Sequence, residues 1–235
     1  MKTVFATAVA LPLLLAGVAY ADGVLAHDWT GGYLGVHAGA LRGNVEVTDD
    51  VNDGVDPGPF DYSITGFFGG GTAGYNWQAG NLVFGAEGDI GFLSPNGSGI
   101  IGSSHADHHQ DLTLSSGAYG DITARAGLAF GGTLIYAKGG GAFFGGSAKQ
   151  QTTADGYEAT GTGAFTGWTA GGGIEQMLTD SVSAKLEYQH FDFGTQEGYQ
   201  TAVVADPPDT PLGYKFHNWH ALGIDTIKVG LNYHF

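Results

Sequence analysis

The stretch DTIKVGLNYHF, residues 225–235, alternates with period two. Asp225, Ile227, Val229, Leu231, Tyr233 and Phe235 fall on one face, and Thr226, Lys228, Gly230, Asn232 and His234 on the other. From Ile227 onward the first face is wholly apolar and the second polar, the signature of an extended strand with two different environments. A strand this regular that closes on aromatic residues suits a transmembrane barrel better than a soluble sheet. The apolar face meets lipid, the polar face meets the lumen, and aromatics mark the interface.

The same alternation recurs along the chain and predicts eight strands, at 29–41, 64–78, 82–92, 118–130, 133–144, 164–177, 182–193 and 223–235. The connections alternate strictly: long (42–62), short (79–81), long (93–117), short (131–132), long (145–163), short (178–181), long (194–222). All long loops therefore lie at one end and both termini at the other, as in bacterial outer-membrane barrels with short periplasmic turns. Loops 2 and 4 have room for further strand above the membrane. The expected fold is all-β, an eight-stranded antiparallel up-and-down transmembrane β-barrel.

Composition agrees. The chain has 235 residues, enough for one barrel without a second domain. Charged residues make up 13% and glycine is frequent, at 43 residues, without a collagen period. Such glycine content suits closely packed, strongly coiled strands. Net charge is -15, which argues against nucleic acid as a partner. There is no cysteine, so stability must come from something other than disulfides, such as barrel closure. Residues 1–21 read as a secretory signal peptide: Lys2, an apolar run from Val4 to Val18, then Ala19-Tyr20-Ala21 as the small-x-small cleavage site. Residues 22–235 form the barrel domain, and no later stretch approaches the roughly 20 apolar residues of a spanning helix.

The inner faces of these strands carry Glu87, Asp89, Asp121, Arg125, Lys138, Glu175, Lys185, Glu187 and Lys228. Isolated charges on an inward face are expensive to bury. In a narrow eight-stranded barrel they can pair across an interior filled by side chains. The structural reading is an ion-pair network holding the barrel shut. A proton or ion pathway is the alternative, disfavoured because eight strands leave little open lumen.

Residues 74–78 (Gly-Tyr-Asn-Trp-Gln), 85–90 (Gly-Ala-Glu-Gly-Asp-Ile), 186–188 (Leu-Glu-Tyr) and 229–235 (Val-Gly-Leu-Asn-Tyr-His-Phe) resemble the small outer-membrane β-barrel proteins of alphaproteobacteria. These are porin-like surface antigens related to the OmpA membrane domain. The resemblance spans essentially the whole mature chain and is more specific for fold than for activity. It implies a monomeric barrel in the Gram-negative outer membrane with both termini periplasmic. It also implies insertion by the outer-membrane assembly machinery through the C-terminal strand bearing Tyr233 and Phe235, and exposed antigenic loops. Some members are described as haem-binding.

Three functions follow as expectations. The first is a structural and surface-interaction protein, supporting membrane integrity, adhesion or host contact through four long loops, with membrane lipid and lipopolysaccharide as neighbours. The second is a haem- or metal-binding protein using His105, His108 and His109 in loop 2 and His217 and His220 in loop 4, since imidazoles this close can ligate a transition metal or haem iron. A polar loop without a ligand explains the same residues, and no cofactor is required. The third is a small diffusion porin. The acidic run 49–56 lacks the spacing of an EF-hand. No catalytic residues are assigned, because no nucleophile, base and orienting group can be assembled from the sequence.

Overall fold

The computed structural model describes residues 27–48, 60–96, 100–102, 109–114, 116–152, 158–194, 196–197 and 218–235. The expected signal peptide, 1–21, lies outside them. Eleven strands occur in chain order: β1 (Gly31–Thr48), β2 (Phe60–Ala79), β3 (Leu82–Asn96), β4 (Ile100–Gly102), β5 (His109–Leu114), β6 (Gly117–Phe130), β7 (Thr133–Thr152), β8 (Glu158–Met177), β9 (Val182–Asp192), β10 (Gln196–Glu197) and β11 (Asn218–His234). Eight of them close a ring of antiparallel neighbours, β1-β2-β3-β6-β7-β8-β9-β11. Closure runs from Tyr33 opposite His234 to Thr48 opposite Asn218. In hydrocarbon this pairing matters because no water is there to satisfy a free sheet edge.

The three short connections fall at one end, where Gly80 and Gly131 take φ of 63° and 62°, left-handed values that glycine adopts without a Cβ clash. The alternation predicted from sequence sets the two faces. Ile122, Phe92, Phe67, Ile90 and Val36 stand outward, between 64% and 76% exposed within the isolated chain, which places them against lipid. At the turn end Tyr75 and Trp77 lie outward with ring centroids 4.7 Å apart, and Tyr233 and Phe235 pair edge-on at 5.4 Å. They form the interfacial aromatic girdle.

Strand lengths differ from the sequence reading. Strand extends well into the connections drawn at 42–62 and 145–163, since β1 and β2 pair as far as Val47 opposite Phe60 and β7 and β8 as far as Gln151 opposite Glu158. The apolar outward pattern ends where lipid ends, but backbone pairing does not require it, so polar stretches such as Ser147–Thr152 continue the ladder above the membrane. In loop 2, β4 and β5 form a hairpin whose β5 takes over from β6 as the neighbour of β7, from Leu114 opposite Ala148 to Gln110 opposite Thr152. In loop 4, β10 pairs with the start of β11.

The first strand begins at Gly31, two residues later than expected. Trp29 instead turns into the barrel mouth, 1% exposed, against Val83, Ala129, Leu134 and Tyr136. Its backbone N–H donates to Gln78 Oε1 (2.7 Å) and its indole N–H to the Gly131 carbonyl (3.3 Å). A tryptophan at the head of an alternating run looks like its first member, and only the position of the mouth shows that it is a plug.

Glycine on the lumen wall admits the large rings of the interior. A Cβ on Gly74 would stand 2.2 Å from the Tyr33 hydroxyl and 2.3 Å from its ring. Gly74→Val should therefore destabilise the barrel by about 1–3 kcal/mol or more, as overpacking does. The check is the urea midpoint of the folded, heat-shiftable gel band; an unchanged midpoint would show that the Tyr33 ring can move aside.

Candidate functional site

Inside the barrel the side chains are sorted into three layers along the axis. At the turn end sits the apolar cluster of Trp29, Val83, Ala129, Leu134 and Tyr136, with Met177 packed on it. At the loop end sits a larger one built on Leu41, Ile64, Phe68, Leu93, Tyr119, Phe144, Phe191, Phe193 and Ile224. Between them lie all nine charged residues read from the inner faces: Glu87, Asp89, Asp121, Arg125, Lys138, Glu175, Lys185, Glu187 and Lys228, none more than 4% exposed.

Glu87 on β3 is the hub. Lys138 Nζ approaches its Oε1 at 2.6 Å, while its Oε2 receives Lys185 Nζ (3.2 Å), Arg125 Nη1 (3.4 Å) and the Tyr33 hydroxyl (2.9 Å). Lys138 on β7 also reaches Asp89 (3.2 Å) and Glu187 (3.3 Å). Lys228 on β11 bridges Asp89 and Glu187, each at 2.6 Å. Arg125 donates to Glu175 (3.1 Å) and Asn76 (2.9 Å) and lies between the rings of Tyr33 and Tyr136, 4.6 and 5.1 Å from their centroids. Lys185–Glu87 and Lys228–Asp89 join strands that are not neighbours, so they crosslink the barrel across the lumen, while Arg125–Glu87 and Lys228–Glu187 tie adjacent strands. Charge-assisted bonds in a site without water are strong when every partner is present.

Glu87, Asp89 and Glu187 each offer an oxygen within 4.8 Å of the others, a spacing compatible with a metal ion. Lys138 touches all three and Lys228 two of them, so ammonium groups already neutralise this trio. Asp121 is the least paired carboxylate: Gln189 Nε2 donates to it at 3.1 Å, and its ammonium neighbour, Lys138, stands 3.9 Å away.

His37 and His234 lie on the lumen side of the wall. His37 sits in a directional chain. The Tyr119 hydroxyl meets His37 Nε2, His37 Nδ1 lies 2.9 Å from Thr72 Oγ1, and Thr72 donates to Asp89 Oδ1 at 2.5 Å. Because the threonine proton goes to the carboxylate, His37 carries its proton on Nδ1, which leaves Nε2 to accept from Tyr119 in the neutral ring. His234 Nε2 lies 3.0 Å from Ser183 Oγ and 3.4 Å from Glu175. Tyr33, Tyr136, Asn76, Gln189 and Asn232 also enter the network; inward parity marked their positions but not their partners.

The loop histidines are not assembled into a site among the described residues. His109 begins β5, opposite Gly102, and His220 lies in β11, opposite Glu46. His105, His108 and His217 lie outside the described residues.

With a closed barrel, an outward apolar band and an inward charge layer established, comparison with known proteins identifies the group. The outer membrane protein β-barrel domain family matches residues 7–235. This chain belongs to that family. It is 32% identical over 216 residues to the 31 kDa outer-membrane immunogenic protein of Brucella melitensis, covering 88% of this chain and 84% of that one. It is 30% identical over 198 residues to the 25 kDa outer-membrane immunogenic protein of Brucella canis, covering 81% and 80%. Among solved structures it is similar to Ail, the attachment invasion locus protein of Yersinia pestis, at 13% identity and a TM-score of 0.40, covering 87% of this chain and 99% of that one. Like other members of its family, the chain is an outer-membrane barrel.

Removing the hub leaves several buried cations short of a partner. Glu87→Ala should destabilise the folded barrel by about 3–5 kcal/mol, the cost of breaking a buried ion pair. Urea unfolding in lipid vesicles reads this directly, and a shift below about 1 kcal/mol would mean that water replaces the carboxylate.

Proposed function

We propose that this protein is a non-conducting outer-membrane anchor that works through its outer end. It would contribute to membrane integrity and present the segments above the membrane for adhesion or host contact. The observation that carries the reading is the filled interior, in which apolar clusters toward each end enclose a buried, ion-paired charge layer. A diffusion pore needs a continuous wet path, and eight strands enclose just enough width for side chains to fill. What remains available for interaction is the outer wall and the long end, where β1, β2, β7, β8 and the β4–β5 hairpin project beyond the lipid-facing residues. The immunogenic names of the Brucella relatives support surface display at that end.

Planar-bilayer recording of the folded protein should show no discrete conductance steps. Trp29→Ala or Phe144→Ala should introduce none either, because opening one cap leaves the other cap and the charge layer in place. Regular steps from the wild type would overturn the sealed reading.

For the role itself, a deletion strain is complemented with the wild type and with a variant whose segments 49–59, 103–108, 153–157 and 198–217 are replaced by short glycine-serine links. Both should restore detergent resistance, and only the wild type should restore binding to host cells or matrix. An epitope tag within 49–59 should be readable on intact cells and one at Asn81 should not. Equal binding by both complements, or the reverse tag pattern, would sink the proposal.

A further inference from the structure

The outer wall carries a charged and polar row in place of apolar residues on three neighbouring strands. On three adjacent strands the outward residues run Ala38, Ala40 on β1, Val229, Ile227 on β11 and Leu186, Tyr188 on β9 toward the loop end, apart from Tyr188 all apolar. In register, Ala40 lies opposite Ile227 and Ile227 opposite Tyr188. The next outward row is Arg42 opposite Asp225 opposite His190. Three strands change from apolar to charged or polar at one level, which fixes the upper edge of the lipid-facing band in this sector.

The row is organised. Tyr188 Oη donates to Asp225 Oδ1 at 2.6 Å, and His190 Nδ1 lies 2.8 Å from the same oxygen. The Trp168 ring stands 5.7 Å from the His190 ring. The Asp225 side chain nevertheless remains 51% exposed and that of His190 34%. Arg42 is exposed beside them, and its charge acts on the Asp225 carboxylate. Of the eight Lys and Arg in the chain, Arg125, Lys138, Lys185 and Lys228 lie in the lumen. Among residues with described side chains, Arg42 is the cation placed on the outer wall of a protein with net charge -15.

From this row we propose a binding site for the headgroup of a phosphorylated glycolipid in the outer leaflet. The chemistry matches part by part. The Arg42 guanidinium takes a phosphate, for which its fork of donors is shaped. The Asp225 carboxylate, which would repel a bare phosphate, accepts hydroxyl or amide N–H groups of the sugar to which the phosphate is attached. His190, turned to Asp225 by Nδ1, offers its Nε2 edge to the same layer. Trp168 and Tyr188 give the sugar and the first acyl carbons an amphipathic aromatic rest at headgroup level. The apolar row beneath keeps the acyl chains against the barrel. The assignment rests on the reading that the long end faces outside.

The test uses the folded full chain in detergent, titrated with purified lipid A and followed by native mass spectrometry, with phosphatidylglycerol and an uncharged glycolipid as parallel probes. The wild type should retain lipid A in preference to both. Arg42→Gln should weaken retention about tenfold, and Arg42→Gln with Asp225→Asn further, while Arg42→Lys, which keeps charge without the fork, should fall between. The gel heat-shift verifies that each variant is folded. Retention within about twofold of wild type by the folded double variant would overturn the site, as would equal retention of phosphatidylglycerol. A concentration-dependent dimer lost in the double variant would assign the row to a second copy and overturn it too. Orientation is read separately by the epitope tags, so a wrong end and a wrong site give different failures.

Discussion

A sheet placed in hydrocarbon has no solvent to satisfy its backbone, and the ladder between β1 and β11 is what removes the last open edge. The interior follows from this closure. Eight strands enclose a narrow cylinder, and every second residue of each strand must fit within it. The lumen wall therefore combines glycines that make room, such as Gly74 beside Tyr33, with long side chains that fill. Lys185 and Lys228 reach Glu87 and Asp89 from strands that are not their neighbours, so these contacts tie the walls together across the axis.

The sorting along the axis has its own physical logic. Burying ions costs hydration that only close pairing and hydrogen bonding offset, and the lumen charges lie together and buried. The apolar clusters at both ends exclude the water that would loosen those pairs. A barrel arranged in this way is a plug with a membrane-compatible exterior. In the proposed reading, exchange with the surroundings takes place on the outer wall or beyond the membrane, and the row Arg42, Asp225 and His190 lies where the apolar outward residues of β1, β11 and β9 end.

Much of this was legible from residue order. The period-two pattern assigned the inner and outer faces of every membrane-crossing strand, and all nine charged lumen residues are buried. Strand ends were less legible. The strand ladders of β1, β7 and β8 continue through stretches whose sequence no longer alternates apolar with polar, because backbone pairing does not require that alternation. Asp225 already interrupted the apolar face of the last strand, and His190 did the same on β9. Their meeting with Arg42 depended on a register between strands far apart in sequence.

Alternation, loop lengths and the scarcity of charge by themselves determined a closed eight-stranded barrel, because a side chain's face depends only on its parity along its own strand. Which charge pairs with which, that Trp29 plugs the mouth, and that three polar residues line up on the outer wall were decided only in the folded structure. Each depends on the stagger between neighbouring strands, a property of the whole ring that no single strand encodes.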